Sequence, residues 1–232
     1  MKLTLLIIGI INIIIVGVLI YQNLPKKEII MPGKNLENKK IVMIIAFRDF
    51  RDEEYFVPKE ILEKAGAEIK TASNRIGTAI GTDGGNVKVD LLVSEINPAE
   101  LADLQSKSSR DSIQSISSFD AVVFIGGPGC LENLDNESSY QVAKDTVLQG
   151  KVLASICISP VILAKAGVLK SKKATVWSSA LDKSAIEILE ENEAIYQAES
   201  VVQDGKIITA NGPAAAREFG EAILKVLTSE SR

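Results

Sequence analysis

Apolar residues in this chain of 232 residues fall into short uninterrupted runs, separated by polar segments with helical spacing. The clearest runs are residues 41–46 and 121–125, and a third, at residues 152–156, is interrupted only by Ser155. Continuous apolar runs of this length are typical of strands buried on both faces of a parallel sheet. Further strands are predicted at residues 67–72, 174–177, 200–202 and 206–210. Helices are predicted at residues 53–65, 139–149, 161–167, 182–191 and 214–227. Strands that alternate with helices predict an α/β protein with a mainly parallel sheet.

Three polar segments connect these elements. Residues 47–52 are predicted to form a charged loop. The Asp-Gly pair at 83–84 stands between two short apolar segments and predicts a small hairpin. Its glycines do not indicate a phosphate loop, because no helix follows them. The serine-rich residues 98–118 predict a short helix and then an irregular surface segment.

The amino-terminal residues 3–20 carry no charged side chain. A helix of that length is about 27 Å long, close to the hydrocarbon thickness of a bilayer. The run ends without the small-residue cleavage site of a signal peptide. We therefore expect an uncleaved single-pass anchor over residues 1–21, a linker over residues 22–38 and one domain over residues 39–232. Lysines are more numerous after the span than before it, which favours a cytoplasmic domain.

The composition of the chain excludes several kinds of partner and catalytic site. The net charge is −4 and no basic stripe occurs, so no nucleic-acid partner is expected. The chain has no histidine, which excludes a Cys-His or Ser-His-Asp triad within one chain and argues against a zinc site. We accordingly expect no metal and no cofactor. Two cysteines imply no disulfide framework.

Cys157 stands where the apolar run 152–156 turns into a helix that starts near Pro160. A strand that turns sharply into a helix presents its turn residue as a nucleophile elbow, and backbone N–H groups there stabilise a thiolate. The alternative is a small buried core residue. Gly126 and Gly127 follow the run 121–125, where they either approach a ligand closely or form a tight turn. Cys157 and the pair Gly126-Gly127 are both predicted at the carboxyl edge of the sheet.

Several segments together resemble the ThiJ/PfpI family of the class I glutamine amidotransferase-like superfamily. The resemblance covers residues 39–228 and rests on residues 44–46 leading to 53–58, then on residues 81–85, 120–127, 150–160 and 208–213. It implies a flavodoxin-like three-layer sandwich with a nucleophile elbow. It also implies a homo-oligomer, because members are commonly dimers or larger assemblies.

The resemblance assigns roles to individual residues. Cys157 would be the reactive centre and Glu54 its hydrogen-bonding partner. Gly127, of the pair Gly126-Gly127, and Ile158 would supply the N–H groups of an oxyanion hole. Without the resemblance, Glu54 is an ordinary acid in the first turn of a helix, where the helix dipole favours it.

The chain departs from the family pattern in three places. Ile158 replaces the histidine that follows the cysteine in members classed as peptidases, and Trp177 occupies the position from which other members offer a histidine. We expect Trp177 to pack over the pocket. Ser159 replaces a glycine, a change that a helix start tolerates. Cys130 could approach Cys157, although a separate surface or half-buried thiol is the preferred interpretation.

Two functions fit these residues, and a degenerate structural relative without activity is a third interpretation. The first is a membrane-tethered deglycase, glyoxalase-like enzyme or other cysteine-dependent hydrolase, acting on a small molecule or a protein adduct. The alternative is a non-enzymatic oxidative-stress sensor or protective binding module, since an accessible thiolate oxidises selectively. Peptidase activity is disfavoured because the chain has no imidazole base. Residues 3–20 would bind the lipid bilayer.

Overall fold

The computed structural model describes residues 36–96 and 116–229. The strands are β1 (Lys40–Ile44), β2 (Arg48–Phe50), β3 (Glu68–Ser73), β4 (Thr78–Gly81), β5 (Asn86–Lys88), β6 (Leu91–Leu92), β7 (Ala121–Phe124), β8 (Val152–Ile156), β9 (Lys173–Ala174), β10 (Ile195–Tyr196), β11 (Val201–Asp204) and β12 (Ile207–Ala210). The α-helices are α1 (Asp52–Lys64), α2 (Cys130–Leu134), α3 (Glu137–Leu148), α4 (Pro160–Lys165), α5 (Ser184–Glu191) and α6 (Ala216–Ser229).

A central sheet takes seven of these strands in the order β11-β12-β8-β7-β1-β3-β6. Its pairings are parallel except that β11 runs antiparallel to β12. Every residue of β7 and β8 is buried, as is every residue of β1 after Lys40. These strands are apolar along their length because both of their faces are covered. The predicted α/β fold with a mainly parallel sheet is confirmed.

Helices cover both faces of the sheet and produce two cores. One core holds buried residues of α1 and α6, and the other holds buried residues of α3, α4 and α5. α6 approaches α1 closely at Gly220, where an added Cβ would lie 3.0 Å from the Cα atom of Pro58. Leu36 is fully buried in the first core, and its N–H donates to the carbonyl of Ala65 at 2.7 Å. The three layers of the predicted sandwich are therefore present.

The predicted hairpin is confirmed as the antiparallel pair β4-β5. The prediction of a loop over residues 47–52 was wrong in part, since β2 lies within it and pairs with β4. The hairpin is attached to the start of α1 by the Asp52 carboxylate, which accepts the N–H groups of Asp83 at 2.8 Å and Gly85 at 2.7 Å. A Cβ atom at Gly81 or Gly85 would collide with this carboxylate. These glycines therefore allow the hairpin to lie directly on the helix.

Other element boundaries also differ from the sequence prediction. The strand predicted at residues 174–177 is only β9, which pairs with β10 outside the central sheet. The strand does not continue to residue 177, where the Trp177 N–H donates to the carbonyl of Cys157 instead. The helix predicted to start at residue 182 starts at Ser184, and α2 was not predicted. Pro58 lies in the interior of α1, so the Glu54 carbonyl cannot accept the usual helical bond from residue 58.

Some predictions fall on residues that the structure does not describe. The anchor predicted over residues 1–21 lies outside them, as does most of the serine-rich segment 98–118. Within residues 36–96 and 116–229, no helix is both long enough and apolar enough to cross a bilayer. Membrane attachment therefore remains a prediction from the sequence.

Candidate functional site

Cys157 forms the turn between β8 and α4. Its φ angle is 66°, a left-handed conformation that non-glycine residues adopt rarely. The backbone is held on both sides, because its N–H donates to the carbonyl of Ala210 at 2.8 Å and its carbonyl accepts the N–H of Trp177 at 2.8 Å. The side chain is half-buried. The turn thus has the geometry of a nucleophile elbow at the carboxyl edge of the sheet.

Glu54 reaches the same place from α1, and its side chain is fully buried. Its Oε2 atom accepts the N–H of Gly126 at 3.2 Å. The carboxyl group also interacts with the side chain of Cys157, while Oε1 has no hydrogen-bond partner among the described residues. Burial raises the pKa of Glu54 to about 7, against smaller opposing effects of Cys157, the Gly126 N–H and the charge of Arg51. The carboxyl can therefore both accept and donate a proton near neutral pH.

The diglycine turn after β7 completes the site, and its geometry admits no side chain. A Cβ atom at Gly126 would lie 2.6 Å from the Cβ of Cys157. At Gly127, where φ is 114°, a Cβ would lie 2.5 Å from the backbone of Arg51 and of Asp49. The absence of side chains lets the backbone N–H groups of this turn approach the carboxyl and the sulfur.

The electrostatics of the sulfur combine opposing effects. Burial raises the pKa of the Cys157 thiol, and a negative charge on Glu54 raises this pKa further. The N–H groups of Gly127 and Ile158 hydrogen-bond to the sulfur and lower the same pKa. Because the two acids oppose each other's ionisation, the pair carries one negative charge at most near neutral pH. The site therefore holds a thiol and a carboxyl that oppose each other's ionisation, beside two backbone donors.

Trp177 lies next to the elbow through its backbone. Its indole Cδ1 atom is 3.6 Å from where a Cβ on Gly212 would stand, and its side chain is half-buried. The structure thus brings Cys157, Glu54, Gly126, Gly127 and Ile158 together, with Trp177 beside them. Within residues 36–96 and 116–229, no three cysteine or carboxylate side chains converge as a metal site would require.

Cys130 is a separate thiol. It is fully buried at the first residue of α2, so the prediction of a surface or half-buried thiol was wrong, and its N–H donates to the Gly127 carbonyl at 3.0 Å. Burial raises its pKa well above the usual range, with smaller contributions from Cys157 and Glu54. Its side chain belongs to the core with α3, α4 and α5, whereas Cys157 packs against the opposite core. Both cysteines are free thiols.

Sequence reasoning missed the role of Ser159. The sequence predicts only that a helix start tolerates Ser159, and its side chain makes no cap hydrogen bond to α4. Its hydroxyl instead points back to the ends of β7 and β8, and it is fully buried. A Ser-Pro pair at a helix start is the only sequence signal, and it indicates a helix start alone.

The fold and site define a class of α/β sandwich proteins with a cysteine at a nucleophile elbow and a buried glutamate beside it. The chain belongs to the DJ-1/PfpI family, whose sequence pattern matches residues 39–226. This is the ThiJ/PfpI family that the sequence predicts. It is 36% identical to an uncharacterised protein of Methanocaldococcus jannaschii over 195 residues, which are 84% of this chain and 85% of that protein. It is 31% identical to a deglycase of Pyrococcus horikoshii over 186 residues, which are 80% of this chain and 98% of that enzyme.

A solved structure is also similar. The ThiJ/PfpI domain protein from Brachyspira murdochii is 34% identical, with a TM-score of 0.70, and the match covers 83% of this chain and 98% of that one. This match supports both the fold and the family.

Proposed function

We propose that this protein is a cysteine-dependent hydrolase of the deglycase or glyoxalase type, with Cys157 as nucleophile and Glu54 as general acid–base. The observation that carries the proposal is the convergence of Glu54 and the N–H groups of Gly127 and Ile158 on the Cys157 sulfur. A deglycase of Pyrococcus horikoshii and one of Pyrococcus furiosus are among the relatives and support this assignment.

The site residues account for each step of such a reaction. Ionised Glu54 accepts the thiol proton as the Cys157 sulfur adds to the aldehyde carbon of a 2-oxoaldehyde, and the N–H groups of Gly127 and Ile158 stabilise the oxyanion. Glu54 then returns this proton to the oxyanion, which forms the hemithioacetal. Ionised again, Glu54 moves a proton from the first carbon to the second while the hydroxyl proton passes to the second oxygen, which gives the 2-hydroxyacyl thioester. Water hydrolyses the thioester and regenerates the thiol. Methylglyoxal and one water thus yield lactate, without an external oxidant.

Turnover of methylglyoxal and of its thiol adduct tests the proposal. Lactate formation should fall to background in Cys157→Ala and about 10²–10⁴-fold in Glu54→Gln, because the second variant loses the proton transfer. Cys130→Ala is the matched control and should retain turnover, because Cys130 is buried outside the site. Undiminished lactate formation in Cys157→Ala would refute the proposal.

A second function is favoured by the same donors. An oxygen atom added to the Cys157 sulfur could be hydrogen-bonded by Gly127, Ile158 and protonated Glu54, which would favour a sensor that is oxidised to the sulfinic acid. Peroxide titration followed by mass spectrometry tests this function. Selective oxidation of Cys157 in a protein without any turnover would favour the sensor over the enzyme.

We further propose that residues 3–20 anchor the domain to a membrane and that the protein forms homo-oligomers. The uncharged run of residues supports the first proposal, and the family supports the second. The full chain should remain in the membrane fraction after carbonate extraction, and an Ile13→Lys/Ile14→Lys variant should be released from it. Sedimentation analysis of the detergent-solubilised chain measures its oligomeric state.

A further inference from the structure

Ser159 joins the two turns that form the site. Its Oγ atom lies 3.0 Å from the Phe124 carbonyl oxygen, at the end of β7, and 2.8 Å from the Ile156 carbonyl oxygen, at the end of β8. The Ile156 N–H donates to the same Oγ at 3.1 Å, and the Ser155 hydroxyl is 2.7 Å away. Both serines are fully buried. One side chain therefore contacts the two strand ends from which the diglycine turn and the elbow begin.

The hydrogen-bonding capacity of this hydroxyl is fully used. A serine hydroxyl has one proton to donate and two lone pairs to accept with. The Ile156 N–H donates to Oγ, the carbonyl oxygens of Phe124 and Ile156 both lie within reach of a Ser159 proton, and either serine can donate in the contact with Ser155. Because no water replaces a lost partner easily at a fully buried position, removal of the hydroxyl takes a hydrogen-bond partner from both strand ends.

We propose that Ser159 is a positioning residue that fixes the diglycine turn against the elbow and thereby aligns the N–H groups of Gly127 and Ile158 on the Cys157 sulfur. The groups that Ser159 connects are close in sequence to the two N–H donors. Phe124 is two residues before Gly126, and Ser159 follows Ile158 directly. That this alignment matters for turnover rests on the proposed function. The effect of the alignment on the reactivity of the Cys157 thiol does not depend on that function.

The proposal predicts a change in thiol reactivity. Without the Ser159 hydroxyl the two N–H groups are held less closely to the sulfur, so the thiolate is stabilised less. The thiol pKa of Cys157 should rise by about one unit, which moves the pH at which its alkylation rate reaches a fixed value upward by about half a unit. A rise of one unit lowers the thiolate fraction about tenfold, and the greater nucleophilicity of the more basic thiolate limits the loss of rate to about threefold.

The experiment follows iodoacetamide alkylation of Cys157 in the full chain from pH 6 to pH 10, with mass spectrometry to separate it from Cys130. Ser159→Ala should show the upward shift, and Ser155→Ala should show a smaller one because it removes only one of the contacts. Ser139→Ala is the matched control, since this hydroxyl is also fully buried but has no hydrogen-bond partner among the described residues. Its curve should coincide with that of the wild type.

A purely structural role would lower the unfolding midpoint of Ser159→Ala and leave its alkylation curve in place, and that result would overturn the proposal. If Ser159→Ala does not fold, an unchanged curve for Ser155→Ala overturns it equally. A wild-type chain without Cys157-dependent turnover would refute the proposed function, and the alkylation comparison would still decide the role of Ser159.

Discussion

Glu54 occupies an environment that opposes its charge. The carboxyl is fully buried, and the partners that favour its ionised form are few: one backbone N–H, the Cys157 side chain and the more distant Arg51. A surface acid with the same neighbours would remain ionised well below neutral pH. Burial is therefore what makes this carboxyl a proton donor and acceptor in the range where the proposed chemistry operates.

The raised pKa of Glu54 makes stability depend on pH. The folded-state value of about 7 lies above the unfolded value of 4.5, so the folded state binds the proton more tightly. This contribution to the free energy of unfolding is fully present below pH 4.5 and is lost as the pH rises to about 7. The loss is up to about 3 kcal/mol. Relative to the wild type, Glu54→Gln should therefore gain stability over this range.

Urea unfolding from pH 4 to pH 9 measures this difference. The two stability curves should diverge between about pH 4.5 and 7 and run parallel above it. Glu53→Gln, at the exposed neighbour in the same helix, is the control and should follow the wild-type curve. Parallel curves for Glu54→Gln and the wild type over the whole range would show that Glu54 is not the titrating group.

Ser159 shows why part of the site could not be predicted at the level of single residues. Cys157, Glu54 and the two glycines lie at positions that the family pattern fixes, so their positions could be predicted. The role of Ser159 depends on the Phe124 carbonyl, which is 35 residues away in sequence. Local sequence indicates only that a serine precedes a helix, and the direction of its hydroxyl follows from the pairing of β7 with β8.

Elements were predictable where burial alone determines their sequence. β7 and β8 are buried on both faces, so their apolar runs identify them without further information. β2 could not be predicted in this way, because Arg48 and Asp49 are exposed and only Phe50 is buried. Its strand character comes from pairing with β4, which lies about thirty residues further along the chain. Short polar strands of this kind depend on tertiary contacts.

The contact between α1 and the hairpin β4-β5 depends on one carboxylate. Asp52→Ala leaves the N–H groups of Asp83 and Gly85 without their acceptor and removes a favourable charge from the start of α1. We expect a loss of about 2 kcal/mol in the free energy of unfolding. Amide hydrogen exchange should become faster within residues 78–88, and urea unfolding measures the total loss.

Asp83→Asn provides the comparison for this element. It removes only the ion pair with Arg51, whose atoms are 3.6 Å apart and whose Asp83 side chain is 55% exposed. An exposed pair of this kind contributes about 0.5 kcal/mol or less. Equal losses in Asp52→Ala and Asp83→Asn would mean that the ion pair, and not the Asp52 hydrogen bonds, attaches the hairpin to the helix.

At the scale of the whole molecule, the central sheet separates the two cysteines into different environments. Cys157 is half-buried at the carboxyl edge, and Cys130 is fully buried in the core with α3, α4 and α5. The sequence places both cysteines after strands, so it could not distinguish their exposure. That distinction arises from α2, which begins at Cys130 and which only the structure reveals.

The difference in burial gives the two thiols different routes to reaction. Cys157 should be alkylated in the native state, at a rate that low urea concentrations leave almost unchanged. Cys130 should react only after the core opens, so the apparent free energy of its labelling should fall with urea as steeply as the global free energy of unfolding. Mass spectrometry of labelled peptides measures both rates in one sample. A Cys130 rate that does not depend on urea would instead indicate local opening near the diglycine turn, and the core around α2 would then be less stable than its complete burial predicts.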